Sequence, residues 1–218
     1  MIITICMITY KRLFYAKLCL NALIDKLESH NDLALHIADN DSGGDHVQTL
    51  IDIAKKSNRF SNVTSTVAVG GGYGHNFNTA MQAIHRGDLV LPLEDDWKLV
   101  RDFNIDPIAQ AVLKEDGCVR LGYLGVLQGI TGRIRKIEGD IYFEFDPKSP
   151  DQYVFTGHPR LETVAFEKRV GVWPEIFPAG DVELIVAGRP EARKNVFWPM
   201  QYIKPSGDLF VHIGTDKA

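Results

Sequence analysis

Apolar positions along the first hundred residues alternate between two rhythms. Ile2 to Ile8 is almost continuously apolar, as expected of a strand covered on both faces. Leu13 to His30 then carries Leu20, Leu23, Ile24 and Leu27 at helical spacing, and Leu33 to Ala38 returns to a strand pattern. Two further helix-strand steps follow. Val47, Leu50, Ile51 and Ala54 share one helical face before the strand Val63 to Val69. Phe77, Ala80, Met81 and Ile84 share another before Leu89 to Leu93. The repeated strand-helix-strand order predicts an α/β domain with a Rossmann-like, mostly parallel sheet flanked by helices and joined by right-handed crossovers. Beyond residue 100 the rhythm is less regular. Arg133 to Ile137 and Ile141 to Phe145 flank Glu138-Gly139-Asp140 and predict a β-hairpin with a basic first arm, and Val182 to Val186 reads as an apolar, helix-like run.

Polar residues gather where these strands end. Thr9-Tyr10-Lys11-Arg12 follows the first strand, Asp39-Asn40 the second, Gly70-Gly71-Gly72-Tyr73-Gly74 the third and Glu94-Asp95-Asp96-Trp97 the fourth. In open α/β sheets ligands bind beyond the carboxyl ends of the strands, so four strand ends point polar chemistry at one crevice. Three consecutive carboxylates repel each other. A hard divalent cation with oxygen ligands, Mg²⁺ or Mn²⁺, neutralises them and can in turn hold a diphosphate, whereas an acidic triplet with nothing on it is a solvated loop. The glycine cluster does not fit G-x-G-x-x-G, because position 75 is His, and it follows the third strand rather than the first. It reads as a loop that lets a ligand approach the backbone before a helix at Asn76.

Composition narrows the class. A chain of 218 residues with 45% hydrophobic and 24% charged residues suits one full core, and one domain over 1–218 is expected. The net charge of −4 and pI near 6.0 argue against a protein that holds nucleic acid mainly by overall charge. Cys6, Cys19 and Cys118 lie in apolar segments without metal or redox spacing, and read as buried free thiols in a reducing compartment. The apolar start is short and its basic residues follow it, the wrong order for a signal peptide, and no run approaches membrane-spanning length. A cytoplasmic protein, monomer or homodimer, is the expectation.

The ordered set Thr9-Tyr10-x-Arg12, Ile37-Ala38-Asp39-Asn40-x-Ser42, the glycine loop with Asn78, and Gly87-Asp88-Leu89-Val90-Leu91 running into Glu94-Asp95-Asp96 resembles the nucleotide-sugar half of a GT-A glycosyltransferase, nearest to glycosyltransferase family two. Val170 to Phe177 leading to Gly180-Asp181-Val182-Glu183-Leu184 is similar to the family segment that places the catalytic base opposite the donor sugar. The resemblance implies a single GT-A domain, with residues 1–100 as the nucleotide-sugar half and 101–218 as the acceptor and catalytic-base half. It implies an inverting, metal-dependent transferase that takes a sugar from a nucleotide-sugar donor, a UDP-sugar first. Asp39 would accept a hydrogen bond from uracil over a floor of Thr9 and Tyr10, with Arg12 near the phosphates and Asn40, Gly72 and Asn78 in the donor-binding set. Asp96 would be the metal ligand, Asp95 would contact the ribose or the ion, and Glu94 takes the first position of the acidic motif. Asp181 would be the general base.

Several assignments stay open on the residues alone. Asp181 and Glu183 are both candidates for the base, and Asp after Gly is also a common helix N-cap. His212 resembles the late histidine that completes the metal site in some GT-A enzymes, but a lone His in an apolar strand is also an ordinary hydrogen-bonded residue. His75 and His158 either line the cleft or sit on surface loops. Trp173 and Trp198 either stack on a sugar or pack the core. The acceptor is expected to be a saccharide or a lipid-linked glycan. The basic stretches 133–136 and 189–194, with Phe197 and Trp198 nearby, leave a modified base in nucleic acid as the alternative acceptor. A nucleotidyltransferase lacks its expected triphosphate loop near the first strand, and a non-catalytic nucleotide-sugar-binding module would bind the donor without turnover.

Overall fold

The computed structural model describes residues 1–84, 88–122, 129–202 and 209–214. The first half follows the predicted rhythm: β1 (Ile2–Thr9), α1 (Leu13–Lys26), β2 (Leu27–Glu28), β3 (Asp32–Asp39), α2 (His46–Ser57), β4 (Asn62–Val67), α3 (Tyr73–Ala83) and β5 (Leu89–Glu94). Gly87 of the fourth motif lies outside the described residues. The second half contains β6 (Trp97–Leu99), β7 (Phe103–Asn104), α4 (Asp106–Glu115), β8 (Cys118–Arg120), the hairpin β9 (Gly132–Ile137) and β10 (Asp140–Phe145), then β11 (Arg160–Thr163), α5 (Val164–Val170), α6 (Ala179–Ala187), β12 (Val196–Pro199) and β13 (Phe210–His212).

Nine strands form the main sheet, in the order β4-β3-β1-β5-β11-β8-β12-β10-β9. Its first four strands are parallel, as the crossovers require. Side chains of β1 alternate between two cores. Ile3, Ile5 and Met7 pack with Leu20, Leu23 and Leu50 on the face of α1 and α2, while Cys6 and Ile8 pack with Phe77, Phe166 and Val182 on the face of α3, α5 and α6. Burial on both faces explains the unbroken apolar run. The three cysteines are buried and free.

The elements depart locally from the predicted bounds. α1 ends at Lys26 rather than His30, because Leu27 and Glu28 pair with β7 and Asp106 then binds the Ser29 hydroxyl and the His30 amide. β4 ends at Val67, two residues short of the predicted Val69. α3 begins at Tyr73, three residues before Asn76. The hairpin turn is Glu138-Gly139 with φ of 50° and 98°, a two-residue turn of the left-handed kind that glycine favours. β11, antiparallel between β5 and β8, is not legible as a strand, because it buries Arg160 and Glu162 as an ion pair at 2.8 Å.

Register places the site. Thr9 lies opposite Asp39, and Ile8 opposite Glu94, so the polar ends of β1, β3 and β5 share one edge. The separate ribbon of β6 and β13 pairs His212 with Trp97, carrying the chain's last described segment to that same edge.

Candidate active site

The acidic triplet divides its work among three carboxylates. The Thr9 hydroxyl, at the end of β1, donates to Asp95 Oδ2 at 2.8 Å, and the Tyr10 amide reaches the same oxygen at 3.2 Å. Nε2 of His46, the first residue of α2, lies 2.7 Å from the Thr9 hydroxyl. Since that hydroxyl gives its one proton to Asp95, His46 Nε2 is the donor to Thr9. Arg12 completes the arrangement, with Nη2 at 2.5 Å from Asp95 Oδ1 and Nη1 at 2.5 Å from Asp96 Oδ2. Asp95, 0% exposed, is thus a fixed anchor for the turn after β1. Both its oxygens are engaged by the protein, Oδ1 by Arg12 and Oδ2 by Thr9 and the Tyr10 amide. Burial raises its pKa to about 6 although Arg12 and Thr9 oppose the shift.

Asp96 has a different environment. Its Oδ2 is 3.1 Å from His212 Nε2, and its buried Oδ1 has no hydrogen-bond partner among the described residues. A side-chain carbon at Gly214 would fall on this carboxylate, so only glycine lets the backbone after His212 pack this close to it. An orphaned carboxylate oxygen and an imidazole nitrogen on the same carboxylate fit a divalent cation that takes its other ligands from phosphate and water. The described residues contain no cluster of three or more His, Cys, Asp or Glu side chains able to hold a metal by themselves.

Glu94 faces inward between Tyr73, Asp96 and Glu183. Burial first, then the charges of Asp96 and Glu183, push its pKa up to about 8. A carboxyl group raised above its unfolded value of about 4.3 stabilises the fold fully below that value, and the contribution is lost as pH rises through about 8. In EDTA the Tm will therefore fall between about pH 6.5 and 8, above the range in which the depressed pKa values of the buried His36 and His158 act in the opposite sense. Glu94→Gln will flatten that fall, measured by thermal melts across that range; an unchanged slope would disprove the assignment.

A cleft of about 270 Å³ opens on this edge. Thr9, Tyr10, Arg12, Asn40 and Gly72 line it together with Glu94, and Phe177, Pro178 and Ala179 close the opposite side. Tyr73 and Asn76, which sequence reasoning did not single out, also line it. Asp39 does not. It is buried and accepts hydrogen bonds from the Ser42 amide at 2.8 Å and the Ser42 hydroxyl at 2.5 Å, so the carboxylate shapes the turn that presents Asn40.

Asn78 is also corrected. Its Oδ1 accepts from the Trp173 amide, and its Nδ2 donates to the Trp173 carbonyl and to Glu175, all at 2.9 Å, which fastens segment 173–175 to α3. Gly74 serves the same contact, since a side chain there would collide with the Pro174 carbonyl, and Gly70 holds a φ of 74°. Asn78→Leu leaves both Trp173 backbone groups unpaired, costing about 3 kcal/mol and lowering Tm by roughly 10 °C in calorimetry. A loss confined to nucleotide affinity, with Tm unchanged, would return Asn78 to the donor site.

On the far wall, Pro178 rather than Asp181 is the N-cap of α6, and Asp181 stands exposed in its first turn. Glu183, one half-turn on, accepts from the Gly157 amide at 2.5 Å. His75 pairs with Glu175 at 3.1 Å. His158 packs against Trp97 with ring centroids 5.0 Å apart, and burial followed by the charges of Arg120 and His212 pushes its pKa down to about 3. Trp173 and Trp198 are core residues. The basic stretches are engaged within the protein: Arg133 with Glu144, Arg135 with Glu115, Arg189 with the carbonyls of residues 170–172, and Arg193 with those of Pro147, Ser149 and Asp151. His46, Tyr73 and Asn76 were not singled out; Tyr73 and Asn76 lie in and just after the glycine loop that follows β4, and His46 shortly after β3, and that position was the available signal.

No protein-family model and no curated protein matches the chain. Solved structures do. S. aureus TarS 1–349 in complex with UDP-GlcNAc superposes with a TM-score of 0.66 at 15% identity, over 100% of this chain and 62% of that one. The mannosyltransferase PcManGT from Pyrobaculum calidifontis, in complex with GDP-Man and Mn²⁺, gives 0.55 at 14% identity, over 94% and 58%. GalNAc-T7 with UDP, GalNAc and Mn²⁺ gives 0.56 at 12% identity, over 90% and 42%. The chain thus spans between 42% and 62% of the length of these three structures. From sheet order, acidic edge and these superpositions together, the chain has the GT-A fold of the glycosyltransferases.

Proposed function

We propose that this chain is a GT-A glycosyltransferase that moves a sugar from a nucleoside-diphosphate sugar, a UDP-sugar first, to an acceptor hydroxyl with inversion of configuration. The observation that carries the reading is Asp96, whose Oδ1 has no partner among the described residues while its Oδ2 meets His212 and the cleft residue Arg12, with Ala179, the first residue of the helix of Asp181, lining the same cleft. Residues 1–100 form the donor half and 101–218 the acceptor half of one domain. Asp96 and His212 hold the divalent cation, Mn²⁺ or Mg²⁺, which when bound neutralises charge on the departing diphosphate. Thr9, Tyr10 and Asn40 face the nucleoside, and Gly72 offers the start of α3 to the phosphates.

Asp181 is the base. Its exposure in the first turn of α6, two residues beyond the cleft residue Ala179, lets it meet an acceptor, whereas Glu183 is held by Gly157 and is charge-coupled to Glu94. As the acceptor oxygen bonds to the anomeric carbon, its proton passes to Asp181 and the carbon–oxygen bond to the diphosphate breaks, the pair of electrons leaving with the nucleotide. One displacement from the opposite face inverts the centre. A saccharide or lipid-linked acceptor suits an exposed mouth carrying Ile176 and Phe177.

A thermal-shift screen of UDP, GDP, CMP and dTDP, each with and without Mn²⁺, tests the donor reading, since a ligand bound only by the folded state raises Tm. A Mn²⁺-dependent rise with UDP is expected, and no rise with any nucleotide overturns it.

A further inference from the structure

Arg12 stands where two different partners would need it. Its guanidinium bridges the neighbouring carboxylates of Asp95 and Asp96, each at 2.5 Å, and it holds the same Asp96 oxygen that His212 approaches at 3.1 Å. Its side chain is 40% exposed, and it lines the cleft in which a diphosphate would lie. Asp95 is anchored from behind by Thr9 and the Tyr10 amide, so the half of the bridge that can open is the one to Asp96. We propose that Arg12 is a built-in counter-ion that competes with the divalent cation for Asp96, so that the site takes up cation and nucleoside diphosphate together rather than the cation alone.

The inference rests on the metal and donor sites assigned above. A guanidinium on Asp96 Oδ2 repels a divalent ion held at either oxygen of that carboxylate, and beside a buried carboxylate the repulsion is weakly screened. Arg12 leaves Asp96 only for an anion of comparable strength. A diphosphate in the cleft is such an anion, planar guanidinium and phosphate oxygens forming paired, charge-assisted hydrogen bonds. The diphosphate draws Arg12 away from Asp96 and the freed oxygen accepts the cation. By linkage, each ligand tightens the other by the same factor. The neighbouring cation Lys11 provides the control, since its ammonium lies over the Tyr10 ring, 4.9 Å from the centroid, instead of on the acids.

Mn²⁺ binding followed by the electron-paramagnetic-resonance signal of the free ion, with and without UDP, tests this on the wild type, Arg12→Gln, Arg12→Met and Lys11→Gln, each first shown to be folded by its melting curve. Without nucleotide, both Arg12 variants are expected to bind Mn²⁺ about 10-fold more tightly than wild type and Lys11→Gln within about twofold of it, while UDP tightens Mn²⁺ binding more in wild type than in the Arg12 variants. Equal Mn²⁺ affinity in wild type and both Arg12 variants, or an equal gain in Lys11→Gln, overturns the competition. If wild type still binds Mn²⁺ with UDP in that case, the metal site itself stands. Failure of every protein to bind Mn²⁺ even with UDP overturns the site and the inference together.

Discussion

Asp96→Ala will abolish the Mn²⁺-dependent part of UDP binding, lowering nucleotide affinity in the presence of Mn²⁺ by at least about 100-fold, while leaving the metal-free protein as stable as wild type or slightly more so. The two halves of this expectation come from the same geometry. Asp96 is a buried carboxylate whose Oδ1 has no hydrogen-bond partner among the described residues, and its charge helps to raise the pKa of Glu94. Removing it relieves crowding among acids in the fold, and Arg12 keeps its pairing with Asp95. A residue whose role was only structural would do the reverse, lowering Tm while the folded fraction still bound nucleotide. Isothermal titration with UDP, with Mn²⁺ or with EDTA, alongside melting curves, separates the two. UDP affinity that is unchanged by the substitution in Mn²⁺ would rule out Asp96 as the cation ligand.

Asp181→Asn is expected to lower turnover by about 10²- to 10⁴-fold with little change in UDP affinity, the range typical of a positioned general base. Asparagine keeps the size and the place in the first turn of α6 but cannot take the acceptor's proton. The assay is UDP release from whichever UDP-sugar the protein binds, with water or a supplied saccharide as acceptor. Glu183→Gln is the informative companion. Glutamine still accepts from the Gly157 amide and removes one of the charges that crowd Glu94, so it should alter turnover by less than about 10-fold. If Glu183→Gln is the variant that stops the reaction and Asp181→Asn turns over normally, the base is Glu183. If both retain UDP binding and neither affects turnover, the chain's transfer chemistry uses another base.

The network around Asp95 also bears on how the site is kept ready. His46, Thr9, Asp95 and Arg12 are joined in sequence by hydrogen bonds and an ion pair between 2.5 and 2.8 Å, so the ends of β1 and β5 and the start of α2 are tied before any ligand arrives. Burial lowers the pKa of His46 in spite of Asp39 and Asp45, which keeps the ring neutral with its one proton directed at Thr9. A pre-formed donor edge of this kind loses little ordering entropy on binding.

Much of the donor half was legible from the chain alone. The run from Ile2 to Ile8 declares a strand buried on both faces because every second residue meets a different core, and Leu50 and Ala54, or Phe77 and Ala80, declare their helices because both members of each pair must face the sheet. The gathering of Thr9, Asn40, Gly72 and Glu94 follows from parallel topology, which puts every strand's carboxyl end at one edge. Asn78 and Asp95 belong to the same motifs yet hold the protein rather than line its cleft, because their hydrogen-bond partners are set by neighbours distant in the chain: Asp95 meets Thr9 across 86 residues and Asn78 meets Trp173 across 95.

The local patterns of apolar spacing and turn chemistry, which act over a few residues, were enough for this sequence by itself to determine the main elements of the first hundred residues, their crossovers, the later hairpin and the acidic edge. Tertiary structure alone decided which charges the protein uses for itself. It slotted Arg160 and Glu162 into a buried strand, turned Arg189 and Arg193 onto backbone carbonyls, and paired β13 with β6 so that His212 reaches Asp96. A buried charge must find its partner wherever packing brings one, and only the folded chain fixes where that is.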